Sequence, residues 1–357
     1  MAKASLSPQS YMDSSGKLVN ASRLMQWRVG GTNPDETYRL LIGHPRFGEA
    51  VRVLAQNMRT VAAGDPALDG VFKDAGRYIA AMLVIHLHVS GGLTLPRLKQ
   101  LCATSGFLSE GRARAMLQYL RYLGFVELVT PGGTRGIPAR YAPTPTLMVA
   151  WLRHLAAALD AARIIDPAVG LVLEQLDRPD VADLLVKVNC ETLLASAHLA
   201  YQEALFLNVF MHRYAGTQIV WILILADEEV FPPRKPVPLS MAANAKQFRV
   251  SRIHIKRLLS DAERAGLLRY ETGGDIILEE SARTAIRYIY AHQLICLLSS
   301  AARTLTERSF PAPRYTPRTT RRAKENAAPQ SHPATTGIGD LQLPDIAVIS
   351  ESTHGSG

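Results

Sequence analysis

Two segments of this chain, residues 109–124 and 251–266, are punctuated alike, and this constrains the fold more than any other feature. Each opens on a serine, Ser109 or Ser251, whose hydroxyl can accept from the backbone N–H groups at a helix start. Each closes on a glycine, Gly124 or Gly266, which tolerates the left-handed conformation that ends a helix. The serine-to-glycine spacing is identical, and the two segments are offset by 142 residues (109 to 251). Counted at about 100° per residue, Ala113, Met116, Leu117, Leu120 and Leu123 share one face of the first helix. Ile255, Leu258, Leu259, Ala262 and Ala265 share the corresponding face of the second.

The flanks repeat as well. Helical periodicity predicts a helix from His44 that ends at Gly64-Asp65-Pro66, then one over Ala75–Val89, stopped by Ser90-Gly91-Gly92. A short helix over Leu95–Thr104 and the Ser105-Gly106 turn lead into the helix Glu110–Leu123. FVELV (125–129), a Gly/Pro-rich tip (Thr130–Arg140) and RYAPT (140–144) read as a hairpin, followed by a helix over Leu147–Ile165. Downstream, a helical stretch over Val181–Tyr214 leads to the apolar run Ile219–Ala226, a short helix over Leu239–Phe248 and the helix Arg252–Ala265. LLRYE (267–271) and IILEE (276–280) then form a second hairpin, and Ser281 is expected to cap a helix running to about Arg303.

The predicted fold is mainly α with small β-hairpin wings: two winged helix-turn-helix units joined by long helices. Residues 1–43 read as a flexible N-terminal arm, 44–165 as the first unit and 166–306 as the second. Residues 307–357 read as a disordered, basic Pro/Thr-rich tail.

A helix-turn-helix reads DNA by laying its last helix in the major groove. The face opposite the apolar one must then be short or basic. In the first copy it carries Gly111, Arg114, Ala115, Gln118 and Tyr122, flanked by Arg112 and Arg121; in the second it carries Ile253, Lys256, Arg257, Ser260 and Arg264, flanked by Arg252 and His254. Arginine and lysine suit phosphates and guanine edges, and glutamine suits adenine. Any solvated helix face also carries such residues; their recurrence at one position of a repeated motif is what favours DNA. Arg135 and Arg140 flank the first hairpin tip and complete a candidate DNA-binding set with Ser109 and Ser251. The formal net charge of +9 agrees with a polyanionic partner. From Arg303 to Glu325 seven basic residues face two glutamates, the composition of an arm that adds salt-sensitive, non-specific affinity.

Other classes find little support. There is no HExxH, GxSxG, GxGxxG or Walker-type loop, so an enzyme is not expected, and neither is a cofactor. His86 and His88, two apart on a helix, point different ways and make a poor metal site. Cys102, Cys190 and Cys296 form no metal spacing and read as buried thiols of a reducing compartment, with redox sensing at Cys102 left open. The longest apolar run, Ile219–Ala226, is too short to span a bilayer. The expected location is cytoplasmic, on the nucleoid.

LTLPRLKQLCATSGFLSEGRARAMLQYLRYLGFVELV and PLSMAANAKQFRVSRIHIKRLLSDAERAGLLRYE each resemble the DNA-binding core of MarR-type winged-helix transcriptional regulators. The resemblance implies double-stranded DNA as partner, flanking helices that form a dimer interface, and an aromatic effector near Trp151 and Trp221. The family's protomer holds one winged helix and this chain carries two, so the pairing is expected within the chain as a pseudo-dimer, with a homodimer as the alternative. A replication initiator, a chromosome-organising protein and a winged-helix interaction scaffold are the competing functions.

Overall fold

The computed structural model of the chain describes residues 10–12, 18–20, 24, 26–27, 34–64, 69–71, 73–105, 108–132, 137–196, 203–271 and 274–307. It is mainly helical with small antiparallel sheets. The proposed tail beyond Glu307 lies outside the described residues.

The described part of residues 1–43 is more ordered than the flexible arm expected from the sequence. Strands β1 (Ser10–Met12) and β2 (Leu18–Asn20) pair antiparallel, Leu24 and Trp27 are buried, and Pro34–Ile42 forms helix α1. Tyr38 and Leu41 of α1 point into the core, and the Tyr38 hydroxyl is hydrogen-bonded to His292 Nδ1 at 2.5 Å. These scattered apolar residues are anchors, and their spacing is too irregular for a periodicity argument to find.

Helix α2 (Phe47–Gly64) buries an apolar stripe from Phe47 to Ala62. Helix α3 (Ala75–Val89) starts where Asp74 Oδ1 accepts from the Arg77 N–H at 2.9 Å. Strand β3 (Leu93–Thr94), helices α4 (Leu95–Ser105) and α5 (Glu110–Tyr122), strands β4 (Val126–Thr130) and β5 (Arg140–Pro143), and helix α6 (Pro145–Ala162) follow. The antiparallel sheet has the order β3–β5–β4. The two-residue strand β3 is absent from the sequence reading; its Leu93 is buried and pairs with Tyr141.

The chain continues through a 3-10 turn (Pro167–Val169) and the short helix α7 (Gly170–Leu173) to α8 (Pro179–Ser196). Of the helix expected over 181–214, α8 covers the part to Ser196, residues 197–202 lie outside the described residues, and beyond them a one-turn helix α9 (Ala204–Phe206) runs into a π-helical turn, Leu207–Met211. That turn folds back on the start of α10 (Gly216–Leu225), where any β-carbon at residue 216 would collide with the Phe210 carbonyl oxygen. Ala215 takes a left-handed conformation, φ 62°, to make the junction.

After α10, Val237 forms an antiparallel bridge to Ile276, with N–H···O distances of 2.7 and 2.9 Å. Helices α11 (Met241–Phe248) and α12 (Arg252–Arg264), strands β6 (Leu268–Tyr270) and β7 (Ile276–Leu278), and helix α13 (Glu280–Glu307) complete the chain. The order helix, helix, helix, strand, strand, helix thus occurs twice, with strand β3 ahead of the helix pair in the first copy and only the Val237 bridge in the second. Both β3 and Val237 join the last strand of the hairpin that follows. Ser281 does not cap α13, which begins at Glu280; its hydroxyl donates to the Gly266 carbonyl at 2.8 Å.

Packing crosses between the halves. Helix α2 lies on α6 and α10, while α8 lies on α13 and α3. Each leading helix therefore covers the trailing helix of its own half and the first helix of the other. The described residues accordingly form one compact unit around one continuous core, to which both of the units expected from the sequence contribute. At the crossing, the Ala215 N–H donates to the Lys73 carbonyl at 2.9 Å, and Gln218 Nε2 donates to Asp69 Oδ1 at 2.7 Å. Among the described residues no helix is long and apolar enough to cross a membrane.

Candidate nucleic-acid interface

Helices α5 and α12 are fixed at both ends by the same devices. Ser109 Oγ accepts from the Arg112 N–H at 3.4 Å and Ser251 Oγ from the His254 N–H at 3.1 Å. Gly124 (φ 70°) and Gly266 (φ 65°) take the left-handed conformation. The N–H groups of Gly124 and Phe125 return to the carbonyls of Arg121 and Leu120, and those of Gly266 and Leu267 to Glu263 and Ala262. This paired pattern satisfies carbonyls that a helix end leaves open. Each hairpin is then clipped to the helix exit: the Thr144 N–H donates to the Phe125 carbonyl at 2.9 Å, and the Glu279 N–H to the Leu267 carbonyl at 3.0 Å.

The faces divide along the helical period. Ala113, Met116, Leu117 and Leu120 are buried, as are Ile255, Leu258, Leu259 and Ala262. Arg112, Arg114, Gln118 and Arg121 are exposed, and so are Arg252, Lys256 and Arg257. Among the described residues none of Arg112, Arg114, Arg121, Arg252, Lys256 or Arg257 is in an ion pair with a carboxylate. Tyr122, 87% exposed, and Ile253, 62% exposed, add apolar surface to the two faces. Such groups suit a thymine methyl or a sugar edge.

Several candidate residues are engaged elsewhere. His254 is half-buried, and its Nε2–H donates to the Tyr214 carbonyl at 2.7 Å, so the ring seats α12 on the body of the protein. Arg264 pairs with Asp261, which also takes Arg213. The Arg213 guanidinium, first, and Arg264 beside it hold the Asp261 carboxyl below its usual range. Ser260 is half-buried. The Arg140 guanidinium folds back against Gly92, where a β-carbon would come within 2.7 Å of it, and does not reach out along the hairpin. Arg121 stacks over the Tyr141 ring at 5.4 Å. Arg112 leans toward α3 at Gly76. Arg135 lies outside the described residues. Conversely, Lys246 and Arg249, both exposed, stand beside α12 at the end of α11. Neither was singled out in the sequence; the signal was a basic residue in the turn of a helix pair, with Arg249 at φ 52° closing that turn.

Cys102, Cys190 and Cys296 are all buried and free. Burial pushes the Cys102 thiol up to about 11, leaving it protonated and a poor nucleophile. Among the described residues no cluster of histidine, cysteine and carboxylate side chains could hold a metal ion. Of the two tryptophans considered for an effector, Trp221 lines a cavity between the helices. Trp151 instead packs against Tyr78, with ring centroids 5.2 Å apart. Compared with known proteins, the chain matches no family, no curated protein and no solved structure.

Proposed function

We propose that this chain is a sequence-specific, double-stranded-DNA-binding regulator of transcription. Its two helix–helix–hairpin segments are read as winged helix-turn-helix modules in tandem, with α5 and α12 entering the major groove. One observation carries the reading: each helix has its apolar face locked in the core while its exposed face carries arginine and lysine side chains with no carboxylate partner among the described residues, Arg114 and Lys256 at equivalent positions and Arg112, Arg121, Arg252 and Arg257 at positions of their own. A basic, nucleoid-associated protein of the cytoplasm fits this role.

The two modules are further read as a pseudo-dimer within one chain. Lys73 and Ala215 are 142 residues apart, the offset that also relates Ser109 to Ser251, and they are hydrogen-bonded to each other. In a two-fold arrangement a residue touches its own counterpart only near the axis. The reciprocal seating of α2 on α10 and of α8 on α3 supports the same symmetry. Because the exposed faces differ, the preferred site is asymmetric, with half-sites about one helical turn, roughly 34 Å, apart.

Selection from random duplexes, followed by a gel shift and footprinting, tests the proposal. One chain should protect two unlike half-sites. Failure to retain any duplex at low salt would end the DNA reading. A palindromic footprint bound by two chains, each using one module, would end the pseudo-dimer. The first hairpin supports a second reading, a protein-interaction scaffold, since Leu128, Val129 and Ile137 are exposed apolar residues there.

A further inference from the structure

A cavity of about 230 Å³ lies where the two halves cross. Its wall comes from α1, α2, α3, α6, α8, α10, α13 and the π-helical turn. An apolar cavity of about 150 Å³ already admits benzene, so this one has room for a single ring with a short chain. Most of the wall is apolar or aromatic, including Met58, Tyr78, Met82, Leu193, Trp221 and Leu297.

The charges in the wall are one-sided. Among the described residues neither lysine nor arginine lines the cavity, whereas Asp74 and Glu203 do. Asp74 is committed: Oδ1 caps α3 and Oδ2 takes the Arg77 guanidinium at 3.1 Å. Glu203 is half-buried and has no partner among the described residues. Burial raises its carboxyl above the ordinary value, the mark of a charge short of solvent and counter-ion. The histidines do not offset it. His154 is bonded to the Tyr78 hydroxyl at 3.0 Å and is pushed down to about 3 by burial, which leaves it neutral. His292 is bonded to Tyr38, and burial lowers His212.

We infer that this cavity binds a small organic cation, an aromatic or short-chain amine, with its apolar body against Trp221 and Tyr78 and its ammonium at Glu203. A carboxylate drawn partly out of water is favoured by an opposite charge beside it, and aromatic faces add a further attraction for cations. An aromatic carboxylate would meet Glu203 with no cation in the wall to receive it. The site is also placed to act at a distance. Leu207 and Met211 of the π-helical turn line it, that turn packs on α12, and the next residues, Arg213 and Tyr214, hold Asp261 and His254. A π-helical turn beside a left-handed alanine is backbone that costs energy to hold, a feature that collects at switching sites. Occupancy of the cavity therefore bears on how α12 is presented; this last step rests on the DNA-binding reading.

The test is calorimetry on the full chain at neutral pH with three ligands of one shape: 2-phenylethylamine, 2-phenylethanol and phenylacetate. The amine should bind and raise Tm, the alcohol should bind about tenfold more weakly, and the acid should not bind. Glu203→Gln should erase the preference for amine over alcohol. Leu193→Trp, which fills the cavity, should abolish binding of both. Should that variant not fold, Glu203→Gln and the ligand series decide the matter. Phenylacetate binding as well as the amine, no binding by the amine, or an amine preference that survives Glu203→Gln would each overturn the inference. A gel shift with and without saturating amine is scored separately. Unchanged DNA affinity removes the coupling and leaves the site standing, while absence of DNA binding without ligand counts against the DNA reading alone.

Discussion

The two exposed basic helices are built alike and tethered differently. Position 119 of α5 and position 261 of α12 are equivalent under the 142-residue offset, and each receives an arginine from the crossing region. In the first half Arg77 lies 5.2 Å over the Tyr119 ring, and it also covers Tyr214 at 4.9 Å. In the second half Arg213 makes an ion pair with Asp261, and His254 adds a hydrogen bond to the Tyr214 carbonyl. The first hairpin is long, with exposed apolar residues; in the second, all three residues of β7 are buried and Arg269 pairs with Glu279 at 3.0 Å. The same position in the motif can thus be held by a ring or by a charge, provided an arginine reaches across from the junction. The second module is held more tightly to the body, and the first exposes more of its hairpin.

The comparison breaks most readily at the exposed faces. Lys256→Ala combined with Arg257→Ala should weaken specific DNA binding more than Arg114→Ala does, at about 1–3 kcal/mol per lost base contact. Titrations at one fixed salt concentration would measure this. No loss from either change, with the fold intact by circular dichroism, would remove the helices from the interface.

Equivalence of the two helix exits is tested next. Gly124→Ala and Gly266→Ala meet no atom within 4 Å of the new β-carbon, so only backbone strain remains. Each should cost roughly 1–2 kcal/mol in urea melts. A clear inequality would mean that the two exits are not equivalent.

At the helix starts, Ser109→Ala and Ser251→Ala should each cost about 1 kcal/mol. The loss should be larger at Ser251, whose contact is 3.1 Å against 3.4 Å at Ser109. Thermal melts of the two variants would rank them.

The smallest effect belongs to the Asp261 tether. Its folded-state pKa lies below the unfolded value. The pair therefore stabilises the fold above the unfolded carboxylate range, and its contribution is lost as pH falls through the folded pKa. Asp261→Asn should lower Tm slightly at neutral pH and match the parent in acid. Tyr119→Leu, at the equivalent position, should lower Tm without that acid-side convergence. Parallel behaviour of the two variants would mean that the tethers do not differ in kind.

Local chemistry made part of this molecule legible in its residues. Serine caps, left-handed glycines and a 3.6-residue apolar period are short-range rules, so α5 and α12 are readable to within a residue, and their faces divide as the period predicts except at Leu123, His254, Ser260 and Ala265, which are half-buried. The same rules gave α3 and the hairpins, and the apolar run Ile219–Ala226 stops at Asp227, whose Oδ1 accepts from the N–H groups of Glu229 and Val230. What the rules missed depends on distant partners. The two residues of β3 and the lone bridge at Val237 are strand only because β5 and β7 lie beside them. His254, on the flank of the second face, and Arg140, beside the first hairpin tip, belong to the candidate DNA-binding set, yet one is drawn in by the Tyr214 carbonyl and the other rests on Gly92. The exchange of α2 and α8 between halves, the single core that both halves share, and the cavity at their crossing have no local signature. A helix's own residues determine which side it buries, but which neighbour covers that side depends on shape and volume across the assembled core.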